Sequence, residues 1–76
     1  MRVKFNLNNK PNQMNVTPRN FAAKLKENKW KLGLNYQYCD GIFLISTNSN
    51  RERVLLEVQR IRNLYLENIL SIEVIE

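Results

Sequence analysis

Asp40-Gly41 stands between two six-residue runs, Leu34 to Cys39 and Ile42 to Thr47. No other feature restricts the fold as much. A two-residue Asp-Gly link is a strong hairpin signal, because both residues tolerate positive φ and the resulting turn matches the twist of paired strands. It also dictates a register: Cys39 opposite Ile42, Tyr38 opposite Phe43, Gln37 opposite Leu44, and Tyr36 opposite Ile45. Side chains alternate along a strand. Tyr36, Tyr38, Phe43 and Ile45 therefore share one face, and Asn35, Gln37, Cys39, Ile42, Leu44 and Ser46 share the other.

The flanking segments supply the remaining elements. Val3, Phe5 and Leu7 alternate with Arg2, Lys4 and Asn6, a period of two that predicts a strand over Arg2 to Leu7. Asn8 to Val16 has no periodicity and contains a proline, so it reads as a loop. Thr17-Pro18 begins a helix, with Thr as the capping oxygen and Pro at the first helical position, where its missing N–H costs nothing. Phe21, Ala22, Leu25 and Leu32 follow at helical spacing. The end is expected near Lys29 to Lys31, with Gly33 as the left-handed terminal residue. Asn48-Ser49-Asn50 reads as a turn and a cap for a second helix from Arg51, whose apolar stripe runs Val54, Val58, Ile61, Tyr65, Ile69. Leu70 to Ile75 closes the chain as a strand, with Leu70, Ile72 and Val74 on one face.

The order β-α-β-β-α-β in 76 residues leaves room for one domain spanning 1–76. It predicts an α+β, ferredoxin-like fold: a four-stranded antiparallel sheet with two helices on one face. The first and third strands are then central. The aromatic face of the hairpin buries more apolar area, so it belongs under the helices with Val3, Phe5, Leu7, Ile72 and Val74. The outer face is left with Arg2, Lys4, Asn6, Ile42, Leu44, Ser71, Glu73 and Ile75 among others. It combines a basic strand with the apolar strip Ile42, Leu44 and Ile75, and an exposed strip of this kind marks association.

Several chemistries are disfavoured by what is missing. The chain has no histidine and one cysteine, Cys39. Cys39 and Asp40 have no companions with metal-ligand spacing, and Cys39 has no histidine base to activate it as a nucleophile. Glu57 and Glu67 lie beside Arg60 and Arg62 on the second helix, which reads as a solvated ion-pair face rather than an acid–base pair. Gly33 and Gly41 are the only glycines, too few for a phosphate-cradling loop. No enzyme activity, metal or cofactor is expected. The longest apolar run, Ile42 to Ile45, falls far short of the roughly 20 residues of a membrane span. With one thiol and no secretory signal, the expected setting is the cytoplasm or an organelle interior.

The net charge of +5 is unevenly placed. Residues 1–39 carry eight cations against Glu27 alone, a net of +7, whereas residues 40–76 carry four Arg against Asp40 and five Glu, a net of −2. The first half therefore projects a positive field toward an anionic partner. On a helical wheel Arg19, Ala23, Lys26 and Trp30 share one side of the first helix, and Lys24 and Lys31 share another. Two functions follow. The first is a small non-enzymatic adaptor or inhibitor that binds a larger protein or protein–nucleic-acid complex through Arg2, Lys4, Ile42, Leu44 and Ile75. The alternative is RNA or DNA binding without sequence preference through Arg19, Lys24, Lys26, Trp30 and Lys31, with Trp30 stacking on a base or else folding back onto the core. A homodimer through the edge of the second strand, Leu34 to Cys39, is a further expectation.

Overall fold

The computed structural model describes residues 1–7, 17–64, 66 and 69–76. The expected loop over Asn8 to Val16, with Lys10 in it, and the expected roles of Tyr65 and Glu67 lie outside these residues. The chain is α+β, with strands β1 (Arg2–Leu7), β2 (Tyr36–Cys39), β3 (Ile42–Ser46) and β4 (Ile69–Ile75) and helices α1 (Pro18–Glu27) and α2 (Arg51–Asn63). The strands form one antiparallel sheet in the order β2-β3-β1-β4.

Asp40 and Gly41 take φ of 48° and 82°, and the hairpin they close pairs Cys39 with Ile42, Tyr38 with Phe43, Gln37 with Leu44 and Tyr36 with Ile45. The two positive φ values produce the tight turn, and the turn sets the register. Phe43 and Ile45 are fully buried with Val3, Phe5 and Leu7 beneath Phe21 and Leu25 of α1 and Val54, Val58 and Ile61 of α2. Tyr36 and Tyr38 lean against the same core while remaining partly exposed. Its centre is aromatic. Phe5 meets Phe21 and Phe43 edge-on with ring centroids 5.2 and 6.1 Å apart, Phe21 meets Phe43 at 4.8 Å, and Tyr36 stacks on Phe43 at 4.4 Å.

Both helices begin as their caps require. The Thr17 hydroxyl accepts from the Asn20 N–H at 3.1 Å, and the Asn50 side-chain oxygen accepts from the Arg53 N–H at 2.9 Å. Each satisfies an otherwise orphaned first-turn donor.

The end of α1 departs from expectation. The helix stops at Glu27, and the left-handed residue is Lys29, with φ 61°. Trp30 N–H donates to Leu25 C=O and Lys29 N–H to Lys26 C=O, both at 3.0 Å. This nested pair of bonds is the motif that closes helices, here with lysine at the position glycine normally takes. Gly33 also has positive φ, at 77°, but it lies in the link to β2. Leu32 is buried from that link and is not on the helix. Because a left-handed lysine is strained by its Cβ and its side chain is exposed, Lys29→Gly should raise unfolding free energy by about 1 kcal/mol. Urea titration at constant m-value checks this.

Two further corrections concern the second half. Helix α2 ends at Asn63, so Ile69 is a β4 residue and not part of the α2 stripe. Glu57 is not on a solvated face. It is 6% exposed and holds the Arg60 guanidinium, with Arg60 Nε at 2.9 Å from its Oε1. The same guanidinium donates to Lys29 C=O at 3.1 Å, tying α2 to the end of α1.

Where β4 pairs with β1, a shift in register between Asn6 and Leu7 of β1 sets Asn6 opposite Ser71 but Leu7 opposite Ile69. Ile69 therefore packs on the core, and Leu70 is left 62% exposed while Ile72 is buried and Val74 half-buried.

Candidate interaction surface

The sheet face turned away from the helices is built by register alone. Lys4 lies between Leu44 on β3 and Glu73 on β4, Asn6 between Ile42 and Ser71, and Arg2 between Ser46 and Ile75. Gln37 and Cys39 extend two of these rows onto β2. Each strand thus contributes a different chemistry: amide and thiol on β2, aliphatic on β3, basic on β1, acidic and aliphatic on β4. Side chains directly opposite one another in such rows stand roughly 5 Å apart at Cβ. Arg2, Lys4, Ile42, Leu44 and Ile75 consequently form one contiguous patch across β3, β1 and β4.

The patch is wetter in its charges than in its aliphatics. Arg2 is exposed, whereas Lys4, Ile42, Leu44 and Ile75 are half-buried by their neighbours on the sheet. The aliphatic strip is therefore less open than the sequence implies. Side chains this close on neighbouring strands cover part of one another, as Lys4 between Leu44 and Glu73 and Asn6 between Ile42 and Ser71 are placed to do.

The basic residues of α1 divide differently. Arg19 and Lys26 are exposed on one side of the helix, Lys31 is exposed beyond it, and Lys24 is half-buried. Trp30 does not extend that side, since the helix has already ended. Its ring is half-buried and packs edge-on to Phe5 at 5.7 Å, and its Nε1–H donates to Gly33 C=O at 2.6 Å.

Sequence reasoning missed the exposed large apolar side chains among the described residues: Leu56 at 74%, Leu70 at 62%, and Leu55 and Leu64 at 44% each. For two of them the signal was available. Leu55 and Leu56 lie about 100° and 200° around the helix from Val54, away from the buried stripe. Leu70 was hidden by the pairing irregularity, which no local pattern announces. Among the described residues, no three His, Cys, Asp or Glu side chains converge, and no helix is long and apolar enough to cross a membrane.

Against protein-family models, curated proteins and solved structures, the chain has no match.

Proposed function

We propose that this chain is a ferredoxin-like interaction module, an adaptor or inhibitor without enzyme activity, working in the cytoplasm or an organelle interior. Its outer sheet face binds a protein or protein–nucleic-acid assembly. The observation that carries this reading is the row arrangement that sets Arg2 beside Ile75 and Lys4 beside Leu44. Aliphatic area and positive charge alternate there at strand spacing on the face opposite α1 and α2. In such a patch charge governs encounter and orientation, and desolvated aliphatic area governs lifetime.

Capture of partners by the tagged full chain tests the proposal. Leu44→Asp should weaken partner binding by about thirtyfold or more, as removal of a central apolar contact does, at a temperature where far-ultraviolet circular dichroism shows the variant folded. Lys4→Glu should act mainly on the association rate and its salt dependence. Partner binding that survives Leu44→Asp but disappears with nuclease overturns the reading. It would favour phosphate contact by Arg19, Lys24, Lys26 and Lys31, with affinity falling steeply as salt rises.

A further inference from the structure

The sheet has two outer strands, β2 and β4, and they differ in how their edges are protected. β2 is four residues long, too short to template much pairing. β4 runs seven residues, Ile69-Leu-Ser-Ile-Glu-Val-Ile75, with neither proline nor lysine to blunt it and a pairing irregularity confined to its Ile69–Leu70 end.

The direction of its peptide groups follows from the ladder. Leu7 N–H donates to Gly41 C=O beyond the end of β3, and the peptide groups of an antiparallel strand alternate between its two neighbours. Odd-numbered β1 residues therefore point to β3 and even-numbered ones to β4. Phe5, paired with Ile72, points to β3, so the N–H and C=O of Ile72, and those of Val74, face the edge that no described strand pairs. One of these groups is already occupied. Arg62, from the last turn of α2, donates through Nη2 to the Ile72 carbonyl. A guanidinium thus sits at the middle of the edge, on a backbone acceptor that an added strand would need.

The side chains at this edge are self-complementary. Read in both directions from Ile72, the sequence is Ser71 against Glu73 and Leu70 against Val74. Two copies aligned antiparallel about Ile72 would therefore bring Leu70 opposite Val74, Ile72 opposite Ile72, and Ser71 opposite Glu73. Aliphatic side chains meet about Ile72, and no like charges meet. Leu70 has apolar surface to give, being 62% exposed. Opposite it, Val74 and Leu55 line a groove between β4 and α2.

We propose that the β4 edge docks a second copy of this chain, antiparallel about Ile72, and that Arg62 holds this edge closed until the partner strand displaces it. The site is separate from the outer sheet face, and Leu44→Asp leaves it intact.

Sedimentation of the full chain over a wide concentration range tests the proposal. The wild-type chain should associate reversibly to a dimer. Arg62→Ala should tighten that dimer by about a hundredfold, because one charge-assisted hydrogen bond no longer has to be broken in each of the two copies. Leu70→Lys, an exposed substitution, should abolish the dimer in either background. Hydrogen exchange of the wild-type chain gives a second reading that needs no variant. The amides of Ile72 and Val74 should gain protection as concentration rises, and those along β2 should not. Association unchanged by Arg62→Ala, a dimer insensitive to Leu70→Lys, or protection appearing along β2 instead would each overturn the proposal.

Discussion

Phe43→Ala should unfold most of the population at room temperature. Phe43 is fully buried, and its ring is the hub of the core, stacked on Tyr36 at 4.4 Å and edge-on to Phe21 at 4.8 Å and Phe5 at 6.1 Å. Truncation removes the transfer free energy of the ring and leaves a cavity lined by other rigid rings, at a cost of about 3–5 kcal/mol. Aromatic edge contacts worth about 0.5–1.5 kcal/mol each are lost with it. A core in a domain this short rarely supplies more than about 3–5 kcal/mol in total, so the loss matches the whole margin. Phe43→Leu keeps most of the volume and should retain a cooperative transition at lower denaturant. Far-ultraviolet circular dichroism against urea distinguishes the two. A Phe43→Ala chain that still melts cooperatively near the wild-type midpoint would show that the aromatic cluster is not what holds the sheet to the helices.

The hairpin behind that prediction was legible because its determinants are local. Asp40 and Gly41 fix a turn, a turn fixes a register, and a register assigns faces, all within the fourteen residues from Leu34 to Thr47. The caps at Thr17 and Asn50 were legible for the same reason: a short oxygen-bearing side chain before an apolar periodic run has one good use. What escaped the sequence depends on contacts far along the chain or on a local rule broken for a distant gain. Lys29 takes a left-handed conformation that glycine would take more easily, and there its carbonyl receives Arg60 from α2, 31 residues away. Leu70 belongs to an aliphatic alternation, yet the shift in pairing at Asn6 and Leu7 sends Ile69 inward in its place. The contiguity of Arg2, Lys4, Ile42, Leu44 and Ile75 followed from strand order and register. Their partial cover did not, because it depends on how long side chains lie across neighbouring strands.

The Glu57–Arg60 pair leads to the second large effect. Glu57 reads as a surface residue by type, and its i,i+3 partner reinforces that reading, but the side chain is only 7% exposed. Arg60 is 36% exposed at the side chain and divides its donors between the Glu57 carboxylate and the Lys29 carbonyl. Removing the cation leaves a carboxylate buried with no compensating charge and the end of α1 without its tie. Because the pair is partly solvated, the cost falls below that of breaking a fully interior ion pair, and Arg60→Met should lose about 2–3 kcal/mol. Glu57→Leu together with Arg60→Met removes both charges at once and fills the space with apolar side chains. That double variant should recover much of the loss, since the penalty comes from the orphaned carboxylate more than from the missing attraction. The Lys29 tie is absent from both variants, so whatever the double variant fails to recover measures the tie. A double-mutant cycle in urea, completed by Glu57→Leu alone, separates these contributions. If the double variant is as unstable as Arg60→Met, the Arg60 bond to α1 outweighs the ion pair, and the pair serves mainly to aim the guanidinium at Lys29.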